Sequence, residues 1–271
     1  MDLMHQGKVA MVSGGSRGLG YHIARGLVQE GCRVAVSARG EARLREAVQE
    51  LNALGGGGSP SGQPLGVPGG GPAIGFQGDI TRKGAPEAYL KRALDAFGGV
   101  DILVNNAGGA RPGTLLELSE EDWRTAFGLN LFHAVALSRL VIPEMKKRGG
   151  GAILNVASIY GRETGGSMTY NASKAALISF TKALAQQIAK DNIRVNSIAP
   201  GSVLFPGGSW DRRVREAPDG LKGFIASDLP LGRFGRPEEL AAAAVFMVSP
   251  RASLVHGVCW NVDGGQSRSN I

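Results

Sequence analysis

The sequence is poor in the residues that mark several large classes of protein. Its 271 residues include two cysteines, Cys32 and Cys259, and four histidines, and their spacing is not that of metal ligands. No apolar run approaches the length needed to cross a bilayer, and the N-terminal residues lack the basic and apolar regions of a signal peptide. We therefore expect a reduced, cytoplasmic protein with no metal site, no membrane span and no disulfide framework.

Neither sign of charge dominates the chain. It has 30 Lys and Arg against 23 Asp and Glu, a net charge of +7, and 6% aromatic residues. Because the basic residues are scattered and do not alternate with aromatic side chains, we expect no nucleic-acid binding. A modest positive balance suits an anionic small molecule or an acidic partner instead. Hydrophobic residues make up 43% of the chain, which is typical of a globular protein with a large core.

Short apolar runs alternate with amphipathic segments along most of the sequence. Three of the runs are KVAMVSG at 8–14, CRVAVSA at 32–38 and VDILVNNAG at 100–108. This alternation predicts an α/β fold over 1–271, a single domain with a doubly wound parallel sheet and helices on both faces. Such sheets bind ligands at the carboxyl ends of their strands, near the point where the strand order reverses.

Two stretches interrupt the alternation. Residues 55–72 are almost all Gly, Pro and Ser, so we expect a flexible surface loop there. Residues 202–229 follow the sixth predicted strand, and we interpret them as a substrate lid region. Their composition suggests a pocket with apolar area that accepts a ligand with an anionic end. The residues concerned are Phe205, Trp210, Arg212, Arg213 and Arg215.

A glycine-rich turn, SGGSRGLG at 13–20, connects the first predicted strand to the first helix. Gly14, Gly18 and Gly20 allow a sharp turn and the close approach of a phosphate to main-chain N–H groups. The helix N-terminus that follows supplies further N–H donors for a pyrophosphate. Dinucleotide binding is favoured over a plain tight turn.

The cofactor preference is predicted from the end of the second strand. Arg39 stands where an acidic residue would bind the adenosine ribose, and Arg17 lies in the glycine turn. Two guanidinium groups suit a 2′-phosphate, so we expect NADP(H) rather than NAD(H), unless these side chains point into water. Asp79, after the third strand, either accepts from the adenine amino group or caps the turn before Thr81.

Several motifs together resemble a known family. SGGSRGLG, NNAG at 105–108, Asn130, Ser158, YNASK at 170–174 and PG at 200–201 occur in the order seen in short-chain dehydrogenases/reductases. The resemblance extends from about Lys8 to Gly265 and is strongest to the 3-oxoacyl-[acyl-carrier-protein] reductase branch. It implies a Rossmann-like domain, a homotetramer or homodimer built partly through the long helices, and a catalytic quartet of Asn130, Ser158, Tyr170 and Lys174.

The turn and the resemblance together identify the residues expected to contact NADP(H). They are Gly14, Ser16, Arg17, Gly18, Leu19, Gly20, Arg39, Asp79, Ile80, Asn106, Ala107, Gly108, Tyr170, Lys174, Pro200, Gly201 and Val203. The chain departs from the family at Phe205, where threonine is usual, so we expect the main chain of Val203 to make the contact there. Carrier-protein reductases use basic residues at two surface places. Residues 146–148 match the first place, whereas Asp191 departs from the second.

Tyr170 and Lys174 lie one helical turn apart on the same face of a predicted helix. We expect Tyr170 to donate a proton to a substrate carbonyl, with Lys174 lowering the pKa of the phenol. Ser158 would hydrogen-bond the substrate oxygen, and the resemblance implies that Asn130 holds a relay water. Candidates for the pocket wall, unless they serve only packing or the surface, are Tyr160, Arg111 and Trp210.

The predicted function is NADP(H)-dependent reduction of a carbonyl compound, of the 3-oxoacyl type or a related ketone, to an alcohol. One alternative is an NAD(H)-preferring dehydrogenase of a sugar or another secondary alcohol. A second alternative is a dinucleotide-binding regulator that has no catalytic activity.

Overall fold

A seven-stranded sheet with the strand order β3-β2-β1-β4-β5-β6-β7 forms the centre of the computed structural model, which describes residues 1–54 and 71–270. All the strand pairs are parallel. The strands are β1 (Val9–Ser13), β2 (Arg33–Ala38), β3 (Ala73–Gln77), β4 (Ile102–Asn105), β5 (Gly151–Val156), β6 (Ile193–Pro200) and β7 (Cys259–Val262).

Nine helices are described in these two ranges. They are α1 (Gly18–Gln29), α2 (Glu41–Leu54), α3 (Ala85–Phe97), α4 (Glu120–Phe127), α5 (His133–Lys147), α6 (Met168–Ile188), α7 (Ser209–Glu216), α8 (Pro218–Asp228) and α9 (Pro237–Val248). A π-helical turn over Gly128–Phe132 joins α4 to α5. The predicted Rossmann-like α/β fold is confirmed.

Both faces of the sheet are covered, which is why its strands read as continuous apolar runs. All five residues of β1 are buried and their side chains alternate between the two faces. Ala10 and Val12 join the core beneath α1, α2 and α9. Val9 and Met11 join the core beneath α3, α5 and α6. The sheet is therefore the middle of three layers.

The strand order reverses between β1 and β4. From β1 the chain proceeds outward to β2 and β3, and it then returns to place β4 on the other side of β1. The loops after these two strands separate there and leave a crevice at the carboxyl edge of the sheet. The glycine turn follows β1 directly, so the fold places it in this crevice.

The region 202–229 is more regular than the sequence suggested, because it contains both α7 and α8. An aromatic cluster holds these helices to the rest of the protein. Trp210 stacks on Phe224 with ring centroids 4.6 Å apart, and its ring lies 5.2 Å from that of Phe234. The predicted loop at 55–72 lies outside the described residues, apart from its last two positions.

One helical stretch passes a test of length and composition for a membrane span. Glu120–Lys147 has 28 residues, and an 18-residue window of it has a mean hydropathy of 1.4, but the core helix of a soluble protein passes the same test. That window is 39% buried, and the stretch packs on α3 and α6. The two helices and the π-turn join into one long stretch, but α4 begins with Glu120, Glu121 and Asp122, so no single apolar run has its length.

Beneath the crevice, a chain of buried polar side chains ties α6 to the sheet. Asn105 Nδ2 donates to Asn155 Oδ1 at 2.8 Å, and Asn155 Nδ2 donates to Thr181 Oγ1 at 2.8 Å. The Thr181 hydroxyl donates to the Leu177 carbonyl oxygen at 2.7 Å. A buried amide that loses a partner keeps the full cost of its desolvation, so each member of this network depends on the next.

This network generates a stability prediction. Thr181→Val keeps the shape of the side chain but leaves the Asn155 amide without its acceptor, and it should lower the free energy of unfolding by about 1–3 kcal/mol. Urea unfolding followed by circular dichroism measures the change. The matched control is Thr125→Val on α4, an exposed hydroxyl with one 3.4 Å contact to Glu121, which should change stability by less than about 0.5 kcal/mol. Equal effects of the two substitutions would contradict the role of the network.

Candidate active site

The glycine turn after β1 is shaped for the close approach of a ligand. Gly14 and Gly18 have φ angles of +66° and +56°, which favour glycine. A Cβ on Gly20 would lie 2.3 Å from Asn106 Nδ2. The first turn of α1 receives no side-chain cap from Arg17, so its N–H groups stay available. Ser16 and Leu19 lie partly buried in the same turn.

The turn after β4 is bound tightly to the glycine turn. The Ser13 hydroxyl accepts from the backbone N–H groups of Asn106 and Ala107 at 3.0 and 3.1 Å. The Asn106 side chain donates back to the carbonyl oxygens of Ser13 and Gly14, each at 3.0 Å. The expected residues Asn106, Ala107 and Gly108 therefore lie at the switch point as one rigid unit with the glycine turn.

The two arginines expected at the adenosine end are both exposed. Arg39 follows β2 and acts electrostatically on the Asp79 carboxylate, which follows the neighbouring strand β3. Arg17 lies beside Gly207 of the lid region. Asp79 Oδ1 accepts from the backbone N–H and hydroxyl of Thr81 at 3.0 and 2.7 Å, so the structure shows the turn cap. The next residue, Ile80, is buried.

Lys174 lies 3% exposed beneath the crevice. Its ammonium donates to the Val156 carbonyl oxygen at 2.6 Å, and Nζ is 5.6 Å from the centroid of the Tyr170 ring. Burial lowers the pKa of Lys174 to about 7. A Cβ on Gly108 would lie 3.2 Å from Nζ, so the turn after β4 closes over the ammonium.

Tyr170 departs from the expectation that Lys174 lowers its pKa. Burial raises the pKa of the phenol, and a hydrogen bond with the Ser158 side chain opposes that shift. Lys174 is not among the groups that shift this pKa, and its ammonium donates to the Val156 carbonyl oxygen instead. Ser158 also accepts from the backbone N–H of Tyr160 at 3.1 Å, so it caps a turn and contacts the phenol at once.

Asn130 is fully buried in the π-turn between α4 and α5. Its side chain accepts from the Gly109 N–H at 3.0 Å and donates to the Gly109 carbonyl oxygen at 2.9 Å. It also donates to the Ala126 carbonyl oxygen at 2.9 Å. Asn130 therefore clamps the turn after β4 to the helical stretch, in which Gly128–Phe132 form the π-turn.

The remaining cofactor positions follow β6. Pro200 ends this strand, and Gly201 donates to the Val262 carbonyl oxygen at 3.3 Å. Val203 forms a parallel bridge with Gly235, which directs the N–H and C=O of Val203 away from that partner. A Cβ on Gly18 would lie 2.6 Å from the Phe205 ring, so this lid residue covers the glycine turn.

Sequence reasoning missed the groups that hold the quartet in place. They are the Val156 carbonyl oxygen, both polar groups of the Gly109 backbone, and the Asn105, Asn155 and Thr181 side chains. The backbone groups carry no signal in a sequence, whereas asparagines inside apolar strand patterns could have been recognised as a network. Within residues 1–54 and 71–270, no three His, Cys, Asp or Glu side chains are placed to hold a metal ion.

The geometry of the site fits a dinucleotide. The cradle of Gly14, Gly18 and Gly20 has no room for Cβ atoms, an uncapped helix N-terminus follows it, and the acid and ammonium lie across the same crevice. A pyrophosphate on the turn would extend along the carboxyl edge of the sheet toward Tyr170. That arrangement is what hydride transfer to a substrate beside the phenol requires.

Comparison with known proteins gives the same assignment. The family model described as Enoyl-(Acyl carrier protein) reductase matches residues 14–267. The 3-oxoacyl-[acyl-carrier-protein] reductase FabG of Chlamydia muridarum (strain MoPn / Nigg) is 34% identical over 268 residues, which cover 98% of this chain and 100% of that protein.

Two solved structures extend the comparison to ligands. L-sorbose reductase from Gluconobacter frateurii, complexed with NADPH and L-sorbose, is 35% identical with a TM-score of 0.88, covering 99% of this chain and 100% of that one. A 7α-hydroxysteroid dehydrogenase complexed with NADH and 7-oxo glycochenodeoxycholic acid is 34% identical with a TM-score of 0.85, covering 99% and 97%. The chain therefore belongs to the short-chain dehydrogenase/reductase family of nicotinamide-dependent oxidoreductases.

Proposed function

We propose that this protein reduces the carbonyl group of a small molecule to an alcohol with NADPH. The observation that supports this most directly is the arrangement of Tyr170, Ser158 and Lys174. The phenol contacts the serine hydroxyl and lies above a buried ammonium, in the crevice that also contains the glycine turn. A proton donor and a cofactor cradle thus face one space at the switch point of the sheet.

Carbonyl reduction needs a hydride on carbon and a proton on oxygen. The bound nicotinamide supplies the hydride, and the residues of the chain supply position and the proton. Because its pKa is raised, Tyr170 holds its proton at neutral pH, which is the state required to donate to the substrate oxygen. The Ser158 hydroxyl donates a hydrogen bond to the same oxygen as negative charge develops there. Lys174 in its charged form stabilises the phenolate that remains.

Three considerations support NADP(H) over NAD(H). Arg17 and Arg39 are both exposed at the carboxyl edge of the sheet, and no acidic residue stands at the Arg39 position to bind the ribose hydroxyls. A guanidinium group binds a phosphate with charge-assisted hydrogen bonds. The sorbose reductase was solved with NADPH. The steroid dehydrogenase was solved with NADH, which keeps an NAD(H)-preferring dehydrogenase as the alternative.

The basic residues at 146–148 favour a free small molecule over a carrier-bound substrate. Lys146 pairs with Asp191 at 2.7 Å, Lys147 with Glu144 at 2.7 Å, and Arg148 with Asp101 at 2.8 Å. All three charges are therefore compensated within the chain, and Asp191 is the residue that departs from the carrier-protein branch. An acidic carrier would have to break these pairs to dock there.

We also propose that the protein acts as a homodimer or homotetramer. The long helical stretch of α4 and α5 leaves an apolar face uncovered in the single chain. Phe132 is 56% exposed, and its ring lies 6.2 Å from that of Phe127, which lies 6.4 Å from the ring of Trp123. A second copy packed on this face would bury the aromatic row.

The acid assignment is tested by Tyr170→Phe. Removing the phenolic proton should lower kcat for carbonyl reduction by about 10²- to 10⁴-fold, while the Kd for NADPH changes by less than about threefold. Tyr21→Phe on α1 is the matched control and should leave both constants unchanged. Stopped-flow oxidation of NADPH and fluorescence titration give the two constants. Normal turnover by Tyr170→Phe would rule out the mechanism and leave the non-catalytic regulator as the better hypothesis.

The burial of Lys174 should cost stability in a pH-dependent way. Below about pH 7 this lysine is charged in both the folded and the unfolded protein. The whole free-energy cost of removing its charge from water then opposes folding. Lys174→Met should therefore raise the free energy of unfolding by about 1–4 kcal/mol in this range, although it removes activity. The gain should shrink as the pH rises above 7, because the folded wild type then holds a neutral amine.

Urea unfolding of wild type and Lys174→Met from about pH 6 to about pH 9 measures this trend. The control is Lys182→Met, an exposed lysine on the same helix, which should change stability by less than about 0.5 kcal/mol at every pH. A loss of stability in Lys174→Met that does not depend on pH would show that the ammonium stabilises the fold.

Cofactor choice is tested by Arg39→Asp. Loss of the guanidinium should raise the Kd for NADPH by about 10- to 100-fold and leave the Kd for NADH within about threefold of wild type. Arg45→Asp on α2 makes the same change of charge at an exposed residue paired with Glu41, so it measures the long-range electrostatic part alone. If Arg39→Asp weakened the binding of NADPH and of NADH equally, the argument that Arg39 binds the 2′-phosphate would fail.

A further inference from the structure

The lid helix α7 carries three arginines, and the structure distinguishes between them. Arg215 forms an ion pair with Asp211 one turn earlier on the same helix. Arg213 lies over the ring of Trp210, with its guanidinium carbon 4.9 Å from the centroid. In the described part of the chain, Arg213 has no carboxylate as an ion-pair partner, although it is exposed. A guanidinium held by an aromatic ring keeps its hydrogen-bond donors available.

The charge of Arg213 acts on the active site through Tyr160, whose backbone N–H donates to the Ser158 hydroxyl at 3.1 Å. The charge on Arg213 acts on the Tyr160 phenol, where it opposes the rise in pKa that burial causes. The Tyr160 phenol in turn acts on the phenol of Tyr170. The ring of Tyr160 packs beneath the turn before α6, since a Cβ on Gly165 would lie 2.4 Å from its Cε1 atom. Tyr160 therefore has both Arg213 and Tyr170 within electrostatic range.

Two carboxylates also face Tyr160, and both are already engaged. Glu163 Oε2 accepts from the backbone N–H of Arg268 at 2.9 Å and from the Ser267 hydroxyl at 3.1 Å. Asp228 Oδ2 accepts from the neighbouring Ser227 hydroxyl at 2.6 Å, and its Oδ1 lies 3.9 Å from the Arg268 guanidinium. The effect of Arg213 on Tyr160 also exceeds that of either carboxylate. Of the three charged groups that act on Tyr160, Arg213 therefore has the largest effect, and it is the one whose hydrogen-bond donors stay unpaired in the described part of the chain.

We propose that Arg213 binds a carboxylate at the far end of the substrate, so that the substrate class is the oxo acids. This inference rests on the proposed carbonyl reduction and specifies its substrate. The carbonyl group lies at Tyr170 and Ser158, the carbon chain crosses the apolar surface of Trp210, and the carboxylate pairs with the guanidinium. A two-point clamp of this kind fixes the carbonyl carbon in front of the nicotinamide ring.

The test compares acids with their own esters. Levulinate and its longer linear homologues, each a methyl ketone with a terminal carboxylate, are assayed with NADPH alongside their methyl esters. Wild type should prefer the acid over its ester at one chain length, and Arg213→Ala should lower that preference in kcat/KM by about 10- to 100-fold. The esters and the KM for NADPH should change by less than about twofold, since neither interacts with the guanidinium.

Two further variants separate contact from structure. Arg213→Lys keeps the charge without the planar fork and should retain part of the preference, whereas Arg212→Ala on the same helix should retain all of it. The inference is overturned if wild type reduces no acid of the series, or if no acid has a higher kcat/KM than its methyl ester. It is also overturned if Arg213→Ala weakens acid and ester equally, or raises the KM for NADPH instead. Reduction of the neutral esters in any of these cases leaves the proposed carbonyl reduction standing.

Discussion

The burial of one ammonium group organises the active site. Lys174 donates to the Val156 carbonyl oxygen at the end of β5, while the turn at Gly108 closes over it and Tyr170 lies above. A charged group in such a place opposes folding unless its surroundings are fixed, because desolvation favours the neutral amine. The helix α6 must therefore be held by other interactions. The buried network from Asn105 to Thr181 supplies them one layer below.

The same logic explains why polar side chains cluster at the carboxyl edge of an otherwise apolar sheet. The Ser13 hydroxyl joins the turns after β1 and β4. Asn130, in the π-turn between α4 and α5, joins the turn after β4 to that helical stretch. Each of these side chains binds backbone groups that belong to no strand ladder. Loops at a topological switch point separate, so their backbone donors and acceptors need side-chain partners. The site is rigid because the crevice must be lined with satisfied polar groups.

The sequence predicted the parts of this site that depend on local patterns. The spacing of Tyr170 and Lys174 on one helical face and the glycine turn follow from local geometry, and the structure shows both. The alternation of apolar runs predicted the parallel sheet for the same reason.

The parts that the sequence did not predict depend on contacts between distant segments. The partner of Lys174 is a backbone carbonyl, which looks the same at every position of a sequence. The helices in 202–229 form because Trp210 finds Phe224 and Phe234, and the raised pKa of Tyr170 reflects burial that only the folded chain creates. The sequence singles out Tyr170 as the candidate acid, but its protonation state depends on the tertiary structure.

The lid connects the two ends of the site physically. Phe205 covers Gly18 of the phosphate turn, and the helix that begins four residues later carries the stacked Arg213. A phosphate that approaches the N–H groups beside Gly18 from the lid side must displace the Phe205 ring, and α7 follows it in the chain. The Phe205 ring that covers the glycine turn and the Arg213 guanidinium that lies over Trp210 are therefore joined by a short stretch of chain. A shift of Phe205 on cofactor binding would be passed along this stretch to α7, and so to the substrate side of the site.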